Sequence, residues 1–298
     1  MKKEIKNMPA SVWARLAAMA KQQQIEPMTL LRRYVQERFL YRLSKSKHRN
    51  SLILKGAMML VAHRMPMSRV TKDVDFLADG ISHEPEKLRP IINDIALIDS
   101  ADGLTFLPDQ IQIEKITEGD RYSDVRAKLP VRMGTVKDIL QIDVGFDDVV
   151  IPHPYELDYP VILDHDCPRI FVYSLESAIA EKFEAMVSLA EINSRIKDFF
   201  DVRFLALQKS YSKEILNHAI QSTFQKRETS IEQRKAIWNS EFYERKEKQE
   251  MWKAFIHSNH LKETADFSQV VKSIQAFIEP ALIANTVTEW IPQEWRWR

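Results

Sequence analysis

One cysteine, Cys167, is all this chain contains, so no disulfide can close within it and the composition suits a reducing compartment. Glycine is scarce too: six in 298 residues point to long helices and few hairpins. No run of about 18 apolar residues occurs, so no membrane-spanning helix is expected. Formal net charge is only +1, which argues against a broadly basic nucleic-acid-binding surface and leaves any such contact to a local patch. The opening Met-Lys-Lys-Glu-Ile-Lys-Asn7 has no apolar core, so no secretory signal is expected and a cytoplasmic location is. A Walker A loop, Gly-x-Gly-x-x-Gly, His-Glu-x-x-His and any Cys/His cluster are all missing, which sets aside those routes to nucleotide or zinc binding. His165 stands near Cys167, but a lone His-Asp-Cys-Pro in a loop is a weak nucleophile signal.

What is present concentrates in residues 52–76, Leu-Ile-Leu-Lys-Gly-Ala-Met-Met-Leu followed by Asp73-Val-Asp75-Phe76. An apolar run ends in Lys55-Gly56, and a short turn and helix lead into Asp-x-Asp in an apolar setting. Side chains alternate along a strand, so Asp73 and Asp75 share one face while Val74 and Phe76 take the other. Two carboxylates so placed repel unless a cation lies between them, and hard cations such as Mg²⁺ use such pairs while leaving positions open for phosphate oxygens. A bare Asp-x-Asp is more often a solvated strand edge. The apolar flanks and the preceding glycine, which allows close backbone approach to a phosphate, favour a phosphoryl-transfer site.

The remainder divides into three parts: an N-terminal helical segment over 1–48, an α/β core over 49–168 and a helical domain over 169–298. Residues 9–47 read as two helices, with Pro9 and Pro27 in first turns, ending in the basic run Ser44–Asn50 that reads as a solvated linker. Residues 84–98 read as a helix, 111–116 as a strand, and 122–146 as two strands joined around Gly134. In the second of these, Ile142, Val144 and Phe146 share one face and Gln141, Asp143 and Gly145 the other. A carboxylate in a strand built for burial is costly without a partner, so Asp143 reads either as part of a solvated strand face or, the favoured reading, as a third metal ligand beside Asp73 and Asp75. Residues 174–190 form an amphipathic helix with Ser174 at its N-cap. Lys182 lies on its apolar face, either snorkelling to solvent or directed at polyphosphate. Asp198 and Asp201 share a face with Arg195, which equally suits a surface ion-pair network. The Trp-rich tail, Trp290 to Arg298, either stacks bases or docks the terminus on the body.

Taken in order, these segments resemble the AbiEii/AbiGii-type nucleotidyltransferase toxins, a branch of the DNA polymerase β-like nucleotidyltransferase superfamily. The resemblance is carried by Tyr34–Ser46, Leu54-Lys-Gly-Ala57, Arg69-Val-Thr-Lys-Asp-Val-Asp-Phe76, Gln141–Phe146, Ser174–Lys182 and Arg195–Asp201. It implies an α+β protein with a mixed-sheet nucleotidyltransferase lobe, N-terminal helices and a C-terminal helical lobe. It further implies Asp73, Asp75 and Asp143 as metal-binding and catalytic, with Lys182 and Asp198 beside them in catalysis. Nucleotide contacts are implied for Lys55, Gly56, Arg69, Thr71, Lys182 and Asp201, with either Asp198 or Asp201 as the acidic residue of the last motif. Two departures stand out: Gly56-Ala57 where the superfamily often has Gly-Ser, and Gly145-Phe-Asp-Asp148 where relatives tend to read Gly-Phe-Gly-Asp.

The expected activity is transfer of a nucleoside monophosphate from an NTP to an acceptor, RNA (tRNA included) or protein, with Mg²⁺ or Mn²⁺ and release of pyrophosphate. The resemblance adds the role of a toxin in a toxin–antitoxin or phage-defence pair, with a separately encoded antitoxin. Two rivals remain open: a small-molecule, antibiotic-modifying nucleotidyltransferase, and a catalytically silent nucleotide- or RNA-binding module.

Overall fold

A computed structural model describes residues 7–65, 71–117, 123–190, 195–259 and 261–298. It separates into two compact units, Met1–Asp147 with Tyr155–Val172, and Asp148–Pro154 with Tyr173–Arg298. The fold is α+β, as expected.

The first unit begins with α1 (Met8–Gln23) and α2 (Pro27–Lys45), each opened by a proline in its first turn, where the missing N–H costs no helical bond. The apolar stripe of α2 is buried throughout, from Leu30 and Leu31 to Leu43. Then come β1 (Leu52–Leu54), α3 (Gly56–Ala62), β2 (Asp73–Ala78), α4 (Pro85–Ala96), β3 (Thr105–Phe106), β4 (Gln112–Thr117), β5 (Ser123–Met133), β6 (Val136–Gly145), β7 (Tyr155–Asp158) and β8 (Arg169–Val172). The strands form one mixed sheet in the order β3-β5-β6-β2-β1-β8-β7, with β4 also on β5. β2 runs parallel to β6 and antiparallel to β1, while β5 and β6 form a long antiparallel hairpin. That hairpin closes on Gly134 and Thr135, with Gly134 at φ +59°, the left-handed conformation such a two-residue turn asks of its first position.

Alternation decides which face is dry. Val74, Phe76, Ile142, Val144, Val125 and Ala127 are all buried. α2 packs on that face, with Phe39 6.4 Å from Phe76 and 6.1 Å from Phe106, ring centre to ring centre. The intervening residues of β2, β6 and β5 point the other way and are only half-buried: Asp73, Asp75, Gln141, Asp143, Arg126 and Lys128.

The second unit comprises α5 (Leu175–Ser188), α6 (Ile196–Gln208), β9 (Tyr211–Ser212), α7 (Lys213–Lys226), α8 (Ser240–Tyr243), α9 (Lys246–Ser258), α10 (Phe267–Leu282), β10 (Glu289–Ile291) and β11 (Arg296–Trp297). Ser174 caps α5, accepting from the Ser177 N–H at 3.1 Å and donating to the Ile151 carbonyl at 2.7 Å. The tryptophan tail is a docking device. Trp290 and Trp297 are buried and donate to the Ala206 and Phe277 carbonyls, and β9, β10 and β11 form a small antiparallel sheet that the sequence pattern did not reveal. In the Lys- and Glu-rich stretch 243–250, Tyr243 and Lys248 are buried. Among the described residues no helix is long and apolar enough to cross a membrane.

Candidate active site

Parallel pairing of β2 and β6 puts Asp75 opposite Asp143 and Asp73 opposite Gln141. The three half-buried carboxylates each bring an oxygen within 4.8 Å of the others. Asp73 is fixed from behind: the buried Thr71 hydroxyl donates to its Oδ1, and Gln36 of α2 donates to the Thr71 and Asp73 carbonyls at 3.4 and 3.3 Å. Lys55 precedes α3 as its N-cap residue, and its backbone N–H donates to the Asp75 carbonyl at 2.8 Å.

Gly56 follows, at φ +63°. A Cβ built there would lie 1.9 Å from Asp75 Oδ2 and 2.7 Å from its Cγ, so the carboxylate occupies the volume that any side chain at 56 would fill. The glycine thus makes room first of all for Asp75.

Asp143 has a partner that motif reading did not anticipate. Arg126, directly across the hairpin on β5, donates from Nε to Oδ1 and from Nη2 to Oδ2, both at 2.8 Å. Such a parallel fork is the strongest geometry available between these groups. The Asp143 contact, then burial acting against it, then the charges of Asp143 and Asp73 leave the guanidinium's pKa above its ordinary value. Gln141 adds longer contacts to both oxygens, at 3.4 and 3.3 Å. A signal for Arg126 did exist in the sequence. Counting outward in equal steps from a two-residue turn at Gly134-Thr135 sets Arg126 opposite Asp143.

A hard divalent cation fits these residues. Three half-buried carboxylates converge, all the donors are oxygens, and Gly56 leaves the room that the Asp75 carboxylate occupies. Asp73, Asp75 and Asp143 would hold such an ion.

Of the remaining expected residues, Arg69 lies outside the described residues. Thr71, with its hydroxyl directed at Asp73, joins this site through the carboxylate. The departure at Asp147, where relatives tend to carry glycine, is accommodated: Asp147 takes φ +61° and meets His83 Nε2 at 2.9 Å.

Lys182, Asp198 and Asp201 come together in the second unit. Lys182 Nζ donates to Asp201 Oδ2 at 2.7 Å and Asp198 Oδ1 at 3.3 Å, and Arg195 Nε donates to Asp198 Oδ2 at 2.7 Å. Both aspartates are buried, so the surface ion-pair reading of this motif is incorrect, and Lys182 is anchored by two buried carboxylates, which snorkelling does not describe. Burial opposes charge on Asp198, yet Lys182, Arg195 and Lys197 hold its carboxyl below the usual range.

Residues 38–273 match the family model described as the nucleotidyl transferase AbiEii toxin of type IV toxin–antitoxin systems. No curated protein matches the chain. Two solved structures share its fold at 14% identity. JHP933 from Helicobacter pylori has a TM-score of 0.53 over 86% of this chain and 93% of its own. A candidate nucleotidyltransferase from H. pylori has a TM-score of 0.52 over 87% of this chain and 96% of its own.

Proposed function

The chain belongs to the AbiEii nucleotidyl transferase toxin family. From that premise we propose that it moves a nucleoside monophosphate from an NTP to an acceptor hydroxyl on RNA or protein, with a divalent cation at Asp73, Asp75 and Asp143. The observation that carries the reading is the convergence of those three carboxylates, one of which, Asp75, occupies the room left by the missing side chain of Gly56. A bound Mg²⁺ or Mn²⁺ supplies charge neutralisation at the phosphates.

The chain's own residues do the rest. Thr71 and Gln36 hold Asp73 and its strand in place, so this carboxylate is already oriented when substrate arrives. As the acceptor oxygen bonds to the α-phosphorus and the bond to pyrophosphate breaks, Asp143 takes the hydroxyl proton. In-line displacement of this kind depends chiefly on positioning and electrostatics. Lys182, with Asp198 and Asp201, contacts the nucleotide in this reading, supported by their place within the matched residues. The biological counterpart is a toxin restrained by a separately encoded antitoxin.

Labelled NTPs incubated with the purified full chain, total cellular RNA and cell protein test the proposal. Wild type should place label on a macromolecule and release pyrophosphate, whereas Asp73→Asn and Asp75→Asn, with unchanged circular dichroism, should do neither. Wild-type rates in the double variant would overturn the assignment. Pyrophosphate release with label only on a small molecule would overturn the macromolecular acceptor.

A further inference from the structure

Asp143 presents a conflict that the metal reading alone leaves open. Both of its oxygens already accept from Arg126 at 2.8 Å, and Gln141 approaches both as well. A cation shared by Asp73, Asp75 and Asp143 would have to share Asp143 with a guanidinium of like charge. Asp143 is the less accessible partner, its side chain 15% exposed against 30% for Arg126. It is anchored on a strand paired on both sides, by β2 and β5. Arg126 is the partner able to leave. Its long side chain rises from the same sheet face, and a guanidinium forks a phosphate as readily as a carboxylate.

Resting on the metal-dependent reading above, we propose that Arg126 is a positioning residue that controls Asp143. Before nucleotide arrives it occupies Asp143 as a resident counter-ion and weakens cation binding. When a polyphosphate binds, Arg126 transfers its fork to phosphate oxygens and releases Asp143 to the cation and to the acceptor proton. Cation loading is thereby coupled to nucleotide, and the coupling is reciprocal.

Removing the guanidinium should act with opposite signs on two probes, Mn²⁺ alone and preformed Mn²⁺–tripolyphosphate, each measured with the full chain by calorimetry and Mn²⁺ electron paramagnetic resonance. With Mn²⁺ alone, Arg126→Gln should bind about tenfold more tightly than wild type, the scale of one partly screened unit charge a few Å away. With Mn²⁺–tripolyphosphate the same variant should bind roughly tenfold to a hundredfold more weakly, through loss of a charge-assisted contact. Arg126→Lys, which keeps the charge but not the fork, should match wild type on Mn²⁺ alone and weaken only on the complex. Damage to the fold can lower affinity but cannot raise it, so the gain with Mn²⁺ alone separates competition from a merely structural role. Any other combination of signs in Arg126→Gln overturns the proposal, provided Asp75→Asn abolishes Mn²⁺ binding. If Mn²⁺ binding survives Asp75→Asn unchanged, the metal site itself is wrong and the proposal falls with it. Should Arg126→Gln not fold, Arg126→Lys carries the test, and equal affinity for the complex in Lys and Arg proteins overturns the transfer of the fork.

Discussion

At Gly56 the absence of a side chain is itself part of the site. The sequence suggested a glycine that lets backbone approach phosphate; the structure gives it a nearer task, since Asp75 Oδ2 would stand 1.9 Å from any Cβ there. Gly56→Ala would also hold a non-glycine residue at φ +63°. That conformation costs about 1–2 kcal/mol, and displacement of Asp75 adds to it. The variant should therefore lose about 1–3 kcal/mol in chemical denaturation and bind Mn²⁺ more weakly than wild type. Full Mn²⁺ affinity in a folded Gly56→Ala protein would show that Asp75 needs no such space. Thr71 and Arg126 behave similarly at this scale. Each acts on a neighbouring carboxylate, so neither role is visible in the residue's own identity.

Between elements, Lys182 joins α5 to α6 through Asp201 and Asp198. A snorkelling lysine would predict that Lys182→Met is neutral or stabilising. The observed pairing predicts the opposite, because the change removes a charged donor from two buried carboxylates. Breaking a fully buried pair costs about 3–5 kcal/mol, and with Lys182 21% exposed a loss of about 1–3 kcal/mol is expected, read from denaturant midpoints at constant m. An unchanged or higher midpoint would return the lysine to a solvent-directed role. The helices themselves were legible because their signals are local: apolar spacing of 3.6, Pro27 in a first turn, Ser174 at a cap. The three-stranded sheet of the tail was not. Its strands are two or three residues long, too short for a periodicity to mark them, and β9 pairs with β10 across more than 70 residues of sequence.

For the molecule as a whole, α2 carries an unexpected load of buried polar groups. Arg38 and Arg42 converge on the fully buried Asp102, while Glu37 accepts the Ile162 N–H. Burial, opposed by that hydrogen bond and by Arg38, pushes the Glu37 carboxyl up to about 7 from an ordinary value of 4.5. The folded chain thus keeps a proton that the unfolded chain has released between those values, and stability falls as pH rises across that window. Glu37→Gln, which retains an oxygen for Ile162, should flatten this part of the profile and melt higher than wild type at pH 8, with a smaller difference at pH 5. Parallel melting curves for both proteins at every pH would remove Glu37 from the pH dependence.

Sequence alone determined the elements of this protein and its chemical vocabulary. Alternation sorted Val74 and Phe76 from Asp73 and Asp75, and Ile142 and Val144 from Asp143, and these are local properties written at fixed spacing along the chain. Only the tertiary structure decided which strands are neighbours, and with that which side chains meet. β2 beside β6 assembles the three carboxylates, and α3 after β1 presses Gly56 against Asp75. Register counted from the Gly134-Thr135 turn sets Arg126 opposite Asp143 within one local hairpin. The pairing of β2 with β6 joins distant segments and is settled by how buried faces pack, so a window of residues can specify each carboxylate but not their convergence.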